Sequence, residues 1–154
     1  MVIGSIPVWE QDGQVQILLC KRAIEPRYGK WTLPGGFMEN NETTAAAALR
    51  ETHEESGAQI ALQNLFTLLN VPQVHQVHMF YRATLLNLDF AAGEESLEVK
   101  LFGENEIPWG ELAFPTVCKT LKLFFEDHAK VKAGVGSYDF HTHDILKRHG
   151  RPDC

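Results

Sequence analysis

The chain has 154 residues, 44% of them hydrophobic and 22% charged, with a formal net charge of −6. That length makes one domain with room for a real core. The acidic balance argues against non-specific nucleic-acid binding, which is driven by phosphate neutralisation, but leaves open a small phosphate ligand beside a metal ion that inverts the local field. No stretch approaches the ~20 apolar residues of a membrane span, and the opening apolar run is short with no basic lead, so no signal peptide is expected. Cys20, Cys118 and Cys154 are odd in number, far apart and without a Cys-x2-Cys pair. No disulfide framework or zinc ribbon is expected from them, and a reducing cytosol is the simplest location.

In chain order, Val2 to Trp9 and Val15 to Lys21 read as strands joined through the turn signal Gln11-Asp12-Gly13. Lys30 to Leu33 is a short strand feeding the glycine loop Pro34-Gly35-Gly36. Thr43 and Thr44 can cap a helix, Ala45 to Leu49 favour one, and Gly57 can end it in the left-handed conformation. A helix is therefore expected over about residues 44–56. Ile60 to Val71 reads as a strand pair or one long strand. Val74 to Leu86 alternates, with Val74, Gln76, His78 and Phe80 on one face and Val77, Met79 and Tyr81 on the other. Apolar residues on both faces predict a central strand. Ala91 to Glu98 reads as an acidic loop, and Val99 to Phe102 as a strand. Val117, Leu121, Phe124, Phe125 and His128 make one helical stripe behind Pro115. There is no internal repeat. One domain over residues 1–132 is expected, with residues 133–154, Gly- and His-rich, as a loosely held tail.

The informative stretch is GGFMENNETTAAAALRETHEESG, which sets Gly36, Glu42, Arg50, Glu51, Glu54, Glu55 and Gly57 in the spacing Gly-x5-Glu-x7-Arg-Glu-x2-Glu-Glu-x-Gly. Glu51, Glu54 and Glu55 are spaced i, i+3, i+4, which makes them neighbours on the helix surface. Like charges at that spacing cost a few tenths of a kcal/mol each. They also lie toward the negative end of the helix, which adds to the penalty. A hard divalent ion with oxygen ligands, Mg2+ or Mn2+, removes both objections.

The pattern resembles that of the Nudix hydrolases, which cleave nucleoside diphosphates linked to another moiety. KRAIEPRYGKWTLPGGFMENNET and ESLEVKLFGENEIPWGELAF are similar to a subgroup of ADP-ribose and FAD pyrophosphatases. The resemblance implies an α/β fold, the Nudix α/β/α sandwich with a mixed β-sheet between helices. It departs from the family at Thr52 and Ala58, where a bulky aliphatic residue is preferred, and looser helix packing is expected there. The implied function is metal-dependent hydrolysis of the pyrophosphate bond of ADP-ribose, FAD or a similar small-molecule nucleotide. The alternatives are an oxidised-nucleotide sanitiser of the 8-oxo-dGTP type and a ligand sensor without turnover. The resemblance also implies a homodimer.

The expected site follows. Glu51, Glu54 and Glu55 hold one to three metal ions, with the carbonyl of Gly35 as a further ligand implied by family geometry. Gly35 and Gly36 let the backbone approach the ion. Arg50 orients a box glutamate, Glu42 ties the loop to the helix or joins the metal shell through water, and Gly57 ends the helix. Glu54 is one candidate general base. Glu94, Glu95 and Glu98 are others, of which Glu98 is favoured. Arg22 is the preferred phosphate contact, with Arg27 beside it. Trp31 is either a core residue or a base-stacking platform, with Tyr28, Phe37 and Trp109 as other stacking candidates. His141 and His143 form an H-x-H without a third ligand. His75 and His78 are structural or substrate-lining.

Overall fold

The computed structural model describes residues 1–146. Among them, eight strands form one mixed sheet. They are β1 (Val2–Gln11), β2 (Gln14–Arg22), β3 (Trp31–Thr32), β4 (Gly35–Phe37), β5 (Ile60–Val71), β6 (Gln76–Leu85), β7 (Ser96–Gly103) and β8 (His141–Asp144). The order is β3-β2-β1-β6-β5-β8, with β4 pairing β1 and β7 pairing β2. Pairings β1–β6 and β5–β8 are parallel and the others antiparallel. No helix among the described residues is long and apolar enough to cross a membrane.

Helix α1 (Thr44–Ser56) starts where expected, because the Thr43 hydroxyl accepts from the Ala46 N–H at 3.0 Å. It ends at Gly57, whose φ of 67° is left-handed, with its N–H bonded to the His53 carbonyl. Helix α2 (Pro115–Lys132) carries Pro115 in its first turn and buries Val117, Leu121, Phe124 and Phe125. The two helices lie on opposite faces of the sheet. Ala47 and Ala48 of α1 pack on Ile3 and Met79. The α2 stripe packs on Ile6, Ile17, Phe66 and Phe80 in the larger core cluster. The sheet between helices is thus the expected α/β sandwich.

The structure revises some elements. β6 is central and alternates as read, but it begins at Gln76, because Pro72–Val74 forms a 3-10 turn and His75 sits at φ 56°. Ile60–Val71 is one long strand. Gly35–Phe37 is a strand on β1 rather than a free loop. β7 starts at Ser96, three residues before the expected Val99. β8 was not expected at all. Cys20 is a free, buried thiol, whereas Cys118 is disulfide-bonded, which the cysteine spacing did not suggest.

Thr52 and Ala58 do not loosen α1. Ala58 is buried against Leu18, Ile60, Ala83 and Leu85. Thr52 is fully buried, and its hydroxyl meets that of Ser5 on β1 at 2.6 Å. A hydroxyl pair thus occupies the place where a methyl contact is usual. Thr52→Val is expected to destabilise by about 1–3 kcal/mol, since it strands the Ser5 hydroxyl. Adding Ser5→Ala to Thr52→Val should return most of that loss. Chemical denaturation of the two singles and the double reads this coupling, and additive losses would rule it out.

Candidate active site

The acidic end of α1 is pressed against β4 without slack. A Cβ at Gly36 would collide with the Glu51 carboxyl, and one at Gly35 would come within 2.9 Å of Gly4 Cα and the Ile3 carbonyl. The Gly35 N–H donates to Glu55 Oε2 at 3.3 Å. Gly36 is therefore required by the close approach of the Glu51 carboxyl, and Gly35 by the close approach of the β1 backbone.

Arg50 organises this end. Its Nε and Nη2 donate to the two oxygens of Glu42 at 2.6 and 2.9 Å. Nη1 donates to Glu51 at 2.8 Å and Glu54 at 3.1 Å, and Nη2 also reaches the Phe37 carbonyl at 3.1 Å. Glu42 in turn accepts from the Glu39 N–H at 2.8 Å, which ties the loop to the helix. The hydrogen bonds from Arg50 and Glu39 hold the Glu42 carboxyl down to about 2.

Glu55 is in the opposite condition. Only 9% of it is exposed. Burial, and then the charges of Glu51 and Glu95, push its carboxyl up to about 8 against the pull of the Gly35 N–H and Arg22. Burial also raises Glu51, opposed by Arg50. Among the described residues no three His, Cys, Asp or Glu side chains converge as a ready-made metal cage, and Glu51 and Glu54 both turn toward Arg50. The donor set nonetheless fits a hard cation. It is all oxygen, it is crowded with like charge, and burial together with those like charges raises one of its carboxyls to about 8.

The loop after β6 is clamped to the C-terminal end of α1. The N–H groups of Ala91 and Gly93 donate to the carbonyls of Ser56 and Glu55 at 2.8 and 3.1 Å. The Ser96 hydroxyl donates to the Glu55 carbonyl at 3.0 Å. The Glu95 carbonyl accepts from the Ala23 N–H at 2.9 Å, which pins this turn to the end of β2. Glu95 is consequently the loop acid whose charge acts on Glu51 and Glu55. Glu98 is not brought there. A β-bulge sets Lys21 opposite Glu98 and Arg22 opposite Ser96. Beyond it, Glu98 shares a face with Lys100 and Phe102, and Phe102 packs in the core cluster on the α2 side.

A cleft of about 420 Å³ opens beside Gly35 and Gly36, with Phe37, Val74, Phe80 and Phe114 among its apolar walls. That volume suits a small-molecule site. Arg22 lines it, bonded through Nε to the Pro26 carbonyl at 2.8 Å and lying 5.0 Å from the Phe114 ring. Arg27 and Trp31 do not line this cleft. Arg27 donates to the Ala113 carbonyl at 2.8 Å. Trp31 is half-buried and packs edge-on against Phe102 at 4.9 Å, which is the core placement rather than the stacking one. His141 is bonded to Asp127 at 2.9 Å on the far edge of the sheet. Sequence reading passed over Thr116 and the part Gln76 plays at the cleft. Both are distant in sequence from the acidic helix, and only the fold brings them to this cleft.

An acidic helix end against a glycine strand, with an arginine and an apolar cleft beside that strand, is an arrangement that suits a phosphorylated small molecule. A NUDIX domain family model matches residues 2–117, and the chain belongs to that family. It is 32% identical over 109 residues to an ADP-ribose pyrophosphatase of Methanocaldococcus jannaschii, covering 68% of this chain and 62% of that protein. The chain thus spans less than two thirds of that relative's length. It is 28% identical over 144 residues to an oxidized purine nucleoside triphosphate hydrolase of Danio rerio, covering 90% of this chain and 86% of that one. A crystal structure of a NUDIX hydrolase from Nitrosomonas europaea superposes with a TM-score of 0.84 at 47% identity, covering 95% of this chain and 78% of that chain.

Proposed function

We propose that the chain hydrolyses the pyrophosphate bond of a nucleoside diphosphate derivative, of the ADP-ribose or FAD kind, giving a nucleoside monophosphate and a second phosphate product. The observation that carries this reading is the row Glu51, Glu54 and Glu55 on α1, of which Glu51 lies against Gly36 and Glu55 against Gly35, beside the cleft. These three carboxylates, with the Gly35 backbone, would hold Mg2+ or Mn2+, which supplies phosphate neutralisation and an acidified water. Arg22 binds a phosphate oxygen of the substrate. Arg50 keeps Glu51 and Glu54 in place through Nη1. Glu95 receives the proton of the attacking water, a role its position supports better than that of Glu98. Glu95→Gln is then expected to lose the acidic limb of the pH–rate profile, while Glu98→Gln keeps it. The reverse pattern would return the role to Glu98.

A second reading, hydrolysis of an oxidised purine nucleoside triphosphate, is favoured by the similarity to the Danio rerio protein over 90% of this chain. Product analysis with Mg2+ or Mn2+ separates the two. AMP and ribose 5-phosphate from ADP-ribose, or AMP and FMN from FAD, support the first. 8-oxo-dGMP and pyrophosphate from 8-oxo-dGTP support the second. No product from any of these would sink the hydrolase reading.

A further inference from the structure

The cleft ends in a polar relay that the phosphate chemistry leaves unused. His78 is buried, and both of its ring nitrogens have partners. Nδ1 lies 2.7 Å from the Thr116 hydroxyl and Nε2 lies 2.7 Å from Gln76 Oε1. An amide oxygen only accepts, so Nε2 carries the ring proton, and Nδ1 accepts from Thr116. Burial, with the positive N-terminus second, pushes His78 down to about 4, which keeps the ring neutral at working pH, with one nitrogen donating and the other accepting. The relay runs Thr116 to His78 to Gln76. It occupies the amide oxygen of Gln76 and leaves the NH2 group as the one available to a ligand. Gln76 lines the cleft and is partly exposed.

The sheet register sets the distance from the phosphate end. Phe80, Gly4 and Gly35 are adjacent across β6, β1 and β4, and His78, Val2 and Phe37 form the next row on the same face. Gln76 lies four residues along β6 from Phe80, roughly 13 Å at the rise of a strand. Apolar walls fill the space between, so a ligand with phosphates at Gly35 and Gly36 would lay its flat, apolar part along them and bring its far edge to Gln76.

Resting on the nucleotide-hydrolase reading above, we propose that Gln76 reads the nucleobase, donating an amide N–H to a ring nitrogen or exocyclic oxygen on the base edge. His78 and Thr116 are positioning residues that fix which way the amide faces. A free glutamine offers oxygen or nitrogen equally. A fixed one rejects a base that turns only a donor toward it, because its NH2 is then left unpaired.

The test is titration of AMP and of ribose 5-phosphate, each with Mg2+, into wild type, Gln76→Leu, Thr116→Val and Thr116→Ser. Gln76→Leu is expected to weaken AMP about tenfold and leave ribose 5-phosphate unchanged. Thr116→Val should reproduce part of the AMP loss, and Thr116→Ser, which keeps the hydroxyl, should restore it. Equal weakening of both ligands in Gln76→Leu would overturn the proposal, as would AMP binding that is unchanged in Gln76→Leu or absent from wild type. Failure of the wild type to cleave any nucleotide would instead count against the hydrolase reading, so the two failures are told apart by whether turnover survives.

Discussion

Glu55→Gln is expected to reduce turnover to below about a tenth of wild type while making the metal-free protein more stable at alkaline pH. The first effect follows from the metal role proposed for Glu55, since cation stabilisation of the transition state is worth several kcal/mol. The second follows from the raised carboxyl. In the folded chain Glu55 ionises near 8, against 4.5 for the free group. Below pH 4.5 both folded and unfolded chains hold the proton, and the group is neutral with respect to stability. Between 4.5 and 8 the unfolded chain releases the proton and the folded chain retains it, so stability falls as pH rises. Above 8 both are ionised and the loss levels off, on the order of 5 kcal/mol in total. Glutamine cannot ionise, so the variant should show a flatter stability profile across this window. Mg2+ should raise the wild-type melting temperature most at the alkaline end and the variant's much less. A variant that loses stability with pH as wild type does would show that Glu55 is not the strained group.

Arg50→Lys is expected to lower activity by roughly 10–100-fold, the range seen when partners that orient metal ligands are removed, and to destabilise by about 2 kcal/mol. Charge alone is preserved, so the effect isolates the planar fork. One guanidinium holds both oxygens of Glu42, one oxygen each of Glu51 and Glu54, and the Phe37 carbonyl. An ammonium has three donors from a single point and cannot span these partners. The loss should appear in the Mg2+ concentration needed for half-maximal rate as well as in the rate. A lysine variant with wild-type Mg2+ dependence would reduce Arg50 to a surface cation.

Helix α1 was legible because its signals are local: the Thr43 cap, the alanine run, the acids at i, i+3, i+4 and the terminal glycine all lie within fifteen residues. β6 was legible for the same reason, since alternation exposes both faces. β8 was not. Its four residues, HTHD, carry no apolar alternation. They are placed by partners elsewhere, namely Asp127 on α2 and the Phe66 ring 5.2 Å from His141. The choice between Glu95 and Glu98 turns on a single bulge, which shifts one strand's faces by one residue and leaves no mark in the composition. Arg22 was singled out by its residue type and its place ahead of the glycines, and the fold sets it in the wall of the cleft. The Thr116–His78–Gln76 relay links residues 38 and 2 positions apart, and the longer link has no sequence signal.

β8 also bears on how molecules of this chain meet one another. β5 is a twelve-residue strand, and β8 pairs with its Thr67–Asn70 stretch in parallel. An uncovered strand margin of that kind offers its backbone N–H and C=O groups to any neighbouring chain. The short, polar, histidine-bearing β8 takes up that stretch and presents a poor template of its own. The last described strand therefore shortens the open margin of β5 by four of its twelve residues and replaces it with a polar one.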